Sequence, residues 1–326
     1  MLKPNLNDIQ KPVKKELNQF NKLFKEALKS EIGIVDLVTK YILKQKGKKI
    51  RPILVLTSAK TAGSINERTY RGANLVELLH TATLVHDDVV DSAERRRGLP
   101  SINAVWKNKV AVLMGDYLLS RGLLLSVEGN DYDFLQVITQ TVKRMSEGEL
   151  LQIRKSQKLD IDEKTYYRII SDKTASLFST CCEIGASSTT DNKKQIEAMG
   201  NYGEYLGLAF QIRDDILDYI GSAKIVGKPL GADIKDKKIT LPLIHSLNSA
   251  SKSERAEIIK WIKNGKKNKN IDKILDFVNK YKGIEYAESV ALSYVNKAKK
   301  ELEIFNQSES KEALINLLDF IIHRKK

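Results

Sequence analysis

Proline is scarce in this chain and missing over its longest stretch. Six prolines stand at 4, 12, 52, 100, 229 and 242, and none falls between 101 and 228. Proline inside a helix costs roughly 3 kcal/mol, so this absence favours long helices. Cysteine is scarcer still, with only Cys181 and Cys182. Adjacent cysteines rarely close a relaxed disulfide, and no Cys/His spacing of the metal-site type accompanies them. They fit small apolar side chains in a reducing compartment. Strand signals are poor, because β-branched alternation bounded by Asn-Gly turns is missing. No apolar run approaches the ~18 residues of a membrane span. Met1–Gln10 lacks the apolar core of a signal peptide. Together these absences predict a cytosolic, all-α protein. No linker rich in Pro, Gly or Ser divides the 326 residues, so one domain over 1–326 is expected.

Positive charge is in excess. Lys and Arg number 55 against 41 Asp and Glu, a formal net charge of +14. That balance suits nucleic acid, a membrane surface or anionic metabolites. No recognised nucleic-acid motif accompanies it, so no nucleic-acid partner is expected. Part of the charge is solvated loop, as in Lys263-Asn264-Gly265-Lys266-Lys267-Asn268-Lys269-Asn270.

Apolar periodicity predicts helices over 13–30 and 34–43, then one from near Pro52. The basic turn Lys46-Gly47-Lys48-Lys49-Ile50-Arg51-Pro52 precedes that third helix. Further helices are predicted over 67–91, 102–127 (one helix or a pair), 133–156, 162–190, 192–220 and 241–247. Two or three more follow Ser251, and Gly221–Pro229 reads as loop.

One pattern carries chemistry. Asp87-Asp88-Val89-Val90-Asp91 returns as Asp214-Asp215-Ile216-Leu217-Asp218. On helices, Asp87 and Asp91 share a face, as do Asp214 and Asp218. Like charges at that spacing repel unless a cation offsets them. A hard divalent ion such as Mg²⁺ suits carboxylate oxygens. Basic clusters follow each copy: Arg95, Arg96 and Arg97 after the first, Lys228, Lys235, Lys237 and Lys238 after the second. A magnesium-bound diphosphate needs both kinds of group.

At these residues the chain resembles the trans-prenyltransferases, or polyprenyl diphosphate synthases. His80-Thr81-Ala82-Thr83-Leu84-Val85-His86-Asp87-Asp88-Val89-Val90-Asp91 is similar to that family's first aspartate-rich motif. Phe210-Gln211-Ile212-Arg213-Asp214-Asp215-Ile216-Leu217-Asp218 is similar to its second. Lys173-Thr174-Ala175, Gly227-Lys228-Pro229 and Thr240-Leu241-Pro242 also stand where the family has them. The likeness runs from about residue 45 to 245. It implies a helical bundle around a deep central cavity, and usually a homodimer. The implied reaction is head-to-tail condensation of isopentenyl diphosphate onto an allylic diphosphate with Mg²⁺, about three ions of it.

The resemblance also implies roles. Asp87, Asp91 and Asp214 would be the principal magnesium ligands, with Asp88, Asp215 and Asp218 as further ligands, direct or through water. Lys48, Arg51, His80 and Arg97 match the isopentenyl diphosphate pocket. Arg96, Lys173, Lys228 and Lys238 match positions that bind the allylic diphosphate, with Lys237 an alternative to Lys238. Thr174 and Gln211 match polar groups near the carbon that becomes cationic. His86 is read as structural. The chain departs from the family at Lys46-Gly47-Lys48-Lys49, where Gly-Gly-Lys-Arg is usual; Lys49 keeps the charge without the planar fork.

In the family, large aromatics four or five residues before the first motif block the growing product. Here those positions hold Thr83 and Ala82, which implies an open tunnel and a long product, octaprenyl first. Its floor falls to Leu123, Leu124 or Leu125. Alternatives are a farnesyl- or geranylgeranyl-length synthase, a non-catalytic helical subunit of a heteromeric synthase, and a class I terpene cyclase. A cyclase would not need Lys48, Arg51 and Arg97. Release of a long prenyl tail implies transient membrane contact.

Overall fold

The structure, a computed structural model, describes residues 5–45, 47–220, 231–263 and 268–324. Helices dominate. In order they are α1 Leu6–Gln10, α2 Lys14–Ala27, α3 Gly33–Lys44, α4 Ile50–Ala62, α5 Glu67–Val90, α6 Ile102–Glu128, α7 Tyr132–Lys158 and α8 Glu163–Ile170. A π-turn, Ser171–Ala175, joins α8 to α9 Ser176–Ser187. Then come α10 Lys193–Ile220, α11 Ala232–Lys235, α12 Leu241–Ser249, α13 Lys252–Lys263, α14 Asn268–Lys280, α15 Gly283–Glu301 and α16 Glu309–His323.

Local sequence explains several boundaries. Asn66 and Thr69 close a reciprocal cap on α5, each side chain satisfying the other's backbone N–H. Pro52 sits in the first turn of α4, where its missing N–H costs nothing. That is why the helix starts two residues before the expected proline. Lys107, with φ of 69°, kinks α6 near its start. The stretch expected as one helix over 162–190 is broken by the π-turn. Four helices, not two or three, follow Ser251 among the described residues.

The all-α expectation holds, with one short strand pair added. Arg95–Arg96 (β1) and Leu99–Pro100 (β2) pair antiparallel, Arg95 with Pro100 and Arg96 with Leu99. The two loop residues, Arg97 and Gly98, have φ of 50° and 82°, the requirement of a type I′ turn. Sequence reading missed it because neither strand carries a β-branched residue.

Packing runs continuously: α6 lies against α5, α5 against α4, α4 against α9, α9 against α10, and α10 against α15. Two apolar clusters result. α10 spans both, giving Met199, Tyr202 and Leu206 to one and Ile212, Ile216 and Tyr219 to the other. α6 corrects another expectation. It is long and apolar enough to cross a membrane, by length and composition, yet only 33% of its apolar window is buried in this chain. Lys107, Lys109, Asp116 and Arg121 break the run in the sequence. Val105, Val112, Leu113, Leu124 and Val127 stay exposed along it.

Candidate active site

The first aspartate motif closes α5. Asp91 is the C-cap and is exposed, and its N–H donates to the Asp87 carbonyl at 2.8 Å. Asp87, one turn back, is exposed as well, though crowded by its neighbours. Loss of hydration raises its carboxyl above the ordinary range, Lys173 opposes this, and Glu149 and Asp91 reinforce it. Asp88 points inward and is buried. Its Oδ1 accepts from Arg96 Nε at 2.6 Å. The chain reverses just after α5, where the Ala93 N–H donates to the Asp88 carbonyl at 2.9 Å, and the hairpin then fixes the Arg96 backbone by pairing it with Leu99. Burial raises the Asp88 carboxyl, and Arg96 draws it back down.

The second motif lies near the end of α10 and lines a cavity of about 410 Å³. Asp214, Asp215, Asp218, Lys173, Thr174, Gln211, Lys237 and Lys238 all border it, and Ile169, Ile170, Leu217 and Ile239 give it apolar walls. A hydrogen-bond chain crosses one wall. Thr174 Oγ1 donates to Gln211 Oε1 at 2.9 Å, and Gln211 Nε2 donates to Asp215 Oδ1 at 2.8 Å. Tyr166 OH donates to Asp215 Oδ2 at 2.6 Å. Asp215 is buried, and burial first, then Asp233, pushes its carboxyl up to about 8 despite the Tyr166 and Gln211 donors; Asp214 adds to the rise. Asp218 accepts from the N–H groups of Ala232 and Asp233, both at 3.1 Å, and so holds the start of α11. Asp214 pairs with Arg324, whose guanidinium also covers the Phe210 ring at 3.9 Å.

Lys173 links the motifs. It borders the cavity, donates to Gln152 Oε1 at 2.7 Å, pairs with Glu149 and acts on Asp87. The first motif itself does not line the cavity. Among the described residues no three His, Cys, Asp or Glu side chains form a closed metal cage. That donor set still fits Mg²⁺, which usually takes one or two carboxylates and fills its octahedron with water and substrate phosphate.

A third group gathers at the start of α4. Arg51 is half-buried with Nε unpartnered, and its guanidinium lies 5.6 Å from the Phe178 ring centroid. His80 is buried, and burial together with Arg51, Arg97 and Arg96 drives its pKa well below the usual value, so the ring is neutral. Glu77, one turn before His80, interacts with Arg51, Arg97 and Lys49. The Arg97 guanidinium packs against Gly47, where a Cβ would push it aside. Lys49 turns away and donates to Asn21. Lys48 is exposed, and Lys228 lies outside the described residues.

Several participants were missed by sequence reading: Tyr166, Glu149, Gln152, Glu77 and Arg324. Glu77 had a signal, one helical turn from His80. The others meet the motifs only through tertiary folding. Of the three floor candidates, Leu124 is 43% exposed and leaves the interior, while Leu123 and Leu125 pack against the core.

An all-α bundle presenting two acidic helix ends, cationic side chains and an apolar-walled cavity is suited to an anionic ligand with an apolar tail. The family model described as Polyprenyl synthetase matches residues 33–279. The octaprenyl diphosphate synthase of Haemophilus influenzae is 32% identical over 98% of this chain and 97% of its own length. A short chain isoprenyl diphosphate synthase of Methanothermobacter thermautotrophicus is also 32% identical, over 95% of this chain and 98% of its own. The crystal structure of a Caulobacter crescentus polyprenyl synthase, complexed with calcium and isoprenyl diphosphate, superposes with a TM-score of 0.91 at 31% identity, covering 100% of both chains. The chain belongs to the polyprenyl synthetase family. It is a prenyltransferase of the trans-prenyl diphosphate synthase type with the all-α isoprenoid synthase fold.

Proposed function

We propose that this prenyltransferase is a long-chain synthase. It joins isopentenyl diphosphate head-to-tail to an allylic diphosphate, with octaprenyl diphosphate the favoured product. When bound, Mg²⁺ neutralises the leaving diphosphate; Asp87, Asp91 and Asp214 would hold it, with Asp88, Asp215 and Asp218 supporting through water or through the donors they already engage. Lys173, Lys238, Arg96 and Lys228 bind the allylic diphosphate. Thr174 and Gln211 turn oxygen lone pairs toward the carbon that becomes cationic. Lys48, Arg51, His80 and Arg97 hold the second diphosphate without metal, so it stays intact. The neutral His80 ring can donate one hydrogen bond. Ile169, Ile170, Leu217 and Ile239 keep water from the cation. The allylic C–O bond breaks to give the cation and pyrophosphate; the isopentenyl double bond attacks that cation to form a carbon–carbon bond, and the resulting cation loses a proton from the isopentenyl unit to the departing pyrophosphate.

The observation that supports the condensation is the Thr174–Gln211–Asp215–Tyr166 chain beside Lys173 in an apolar-walled cavity; the long product rests on the small residues Ala82 and Thr83 before the first motif. The test uses purified protein, Mg²⁺, labelled isopentenyl diphosphate and primers of rising length, with product sizing. Elongation to a long product is expected. No elongation with any primer would falsify the assignment.

A shorter product is the second reading. The cavity is of ordinary small-molecule size, and Ala82 and Thr83 do not border it. Thr83 is half-buried, one turn below Asp87, whereas Ala82 is buried in the core. Thr83→Phe is therefore the cleaner test: it shortens a long product by plugging the path. Ala82→Phe also overpacks the core, at about 1–3 kcal/mol. Unchanged product length in Thr83→Phe rules out that path.

A homodimer is the proposed assembly, formed through the exposed apolar side of α6. Twice the 36.8 kDa chain mass is expected by light scattering, and Leu113→Glu should give monomer. The buried, unpaired Cys181 and Cys182 fit a reducing, cytosolic setting.

A further inference from the structure

Lys173 and Thr174 are neighbours in sequence, yet both border the cavity. On an ideal helix they would diverge by about 100°. Adjacent residues of regular helix do reach the cavity, as Ile169 and Ile170 do; what sets this pair apart is that it sits in a π-turn, Ser171–Ala175, with the Ser176 N–H reaching back to the Ser171 carbonyl, which shifts the register between α8 and α9. Such turns are rare and unfavourable unless something holds them. Relaxation to a regular helix would rotate α8 and α9 against each other by about 100°, and Lys173 and Thr174 with them.

The residue that grips this turn is Arg144 of α7. Its Nε donates to Asp172 Oδ1 at 3.0 Å. Its Nη2 donates to Ser171 Oγ at 2.8 Å and to Glu204 Oε1 at 3.1 Å. The Ser171 hydroxyl donates to the same Glu204 oxygen. Ser171 and Asp172 directly precede Lys173. Glu204 lies on α10, two turns before Gln211 and on the same face. The guanidinium fork thus fastens three elements that line the cavity. Gly148, one turn along α7, leaves room for the turn: a Cβ there would lie 2.9 Å from the Asp172 Cβ and 3.0 Å from the Lys173 N. The cluster is half-buried, with side-chain exposures of 31% for Arg144, 16% for Asp172 and 21% for Glu204. Charge pairs there are screened less than surface pairs.

We propose that Arg144 is a positioning residue. Through Asp172, Ser171 and Glu204 it locks the π-turn to α10, so that Lys173 and Thr174 present together to the allylic diphosphate opposite Gln211. This rests on the reading that Lys173 binds that diphosphate.

The test compares Arg144→Met, Arg144→Lys and Gly148→Ala with Lys173→Ala and with Arg68→Met. Arg68 pairs with Asp131 at 3.0 Å and with Asp133, far from the turn. In Arg144→Met and Gly148→Ala the KM for the allylic diphosphate should rise by about tenfold or more, while the KM for isopentenyl diphosphate moves by less than about twofold. Arg144→Lys keeps the charge without the fork and should fall between. Amide exchange over Ser171–Ala175 should quicken in the same variants. Arg68→Met should lower Tm and leave both KM values in place. The clamp is overturned if Lys173→Ala raises the allylic KM and Arg144→Met and Gly148→Ala do not. It is also overturned if both KM values follow Tm, as in a merely structural loss. A Lys173→Ala variant with unchanged allylic KM overturns the reading of Lys173 and the clamp with it.

Discussion

The two aspartate pentads share a pattern and live in different surroundings. In both, the middle residue turns inward, because one step along a helix rotates it about 100° from its predecessor. Asp88 is neutralised there by a cation, Arg96. Asp215 is met by a phenol and an amide, and its carboxyl rises to about 8. The third residues differ more. α5 ends at Val90, so Asp91 is an exposed cap; α10 continues to Ile220, so Asp218 is buried and committed to α11. The motif decides which carboxylates share a face. The neighbours decide which of them remain available to a ligand.

The largest effects should come from the first residues of each motif. Asp87→Asn and Asp214→Asn should each lower kcat/KM on the order of a thousandfold, since metal-assisted charge stabilisation is worth several kcal/mol and each 1.4 kcal/mol is about tenfold. The third residues should then separate. Asp91→Asn should reduce activity and leave Tm alone. Asp218→Asn should also cost about 1 kcal/mol of stability, as lost helix caps do. Denaturant melts and steady-state kinetics on the four variants check this. Equal Tm losses at 91 and 218 would break the contrast.

Removing the partner of each middle residue should have a smaller effect. Arg96→Met leaves Asp88 buried without its cation. Loss of a fully buried partner costs about 3–5 kcal/mol, and roughly 2 is expected here because Arg96 is 28% exposed. Tyr166→Phe removes one of two neutral donors from Asp215, worth about 1 kcal/mol. Adding Asp88→Asn to Arg96→Met should recover most of its loss, a coupling measurable by a double-mutant cycle. No recovery would mean that Arg96 does not stabilise through Asp88.

Much of this contrast was legible in the sequence. The proline-free stretch gave the long helices, and one-turn spacing placed Asp87 with Asp91 and Asp214 with Asp218. What stayed hidden has specific physical causes. The hairpin over 95–100 depends on positive φ at Arg97, an unusual setting for a non-glycine residue. The π-turn changes backbone register without changing which residues are apolar. Arg324 reaches Asp214, and Tyr166 reaches Asp215, only through the tertiary fold. Lys49, read as a retained charge of the basic turn, is spent on Asn21 because its own αL backbone turns it toward α2.

The smallest effect isolates why Asp215 rises at all, since it already accepts two hydrogen bonds. Glu254 is the comparison. It accepts from Lys280 at 2.6 Å, from Ser251 and from Tyr281 at 2.8 Å, at the protein surface, and those donors hold its carboxyl down at about 2. At Asp215 burial outweighs the donors; at Glu254 there is little burial to outweigh them. A depressed carboxyl contributes stability above its ordinary value of 4.5 and loses it as pH falls toward about 2. Glu254→Gln should therefore show a small Tm deficit near neutral pH that fades below about pH 4 and shrinks in high salt. Thermal melts of both proteins at about pH 7, 4 and 2 would measure it. A deficit that persists unchanged down to the acid limit would show that Glu254 acts through packing, and would remove the case for donors against burial as the variable that divides it from Asp215.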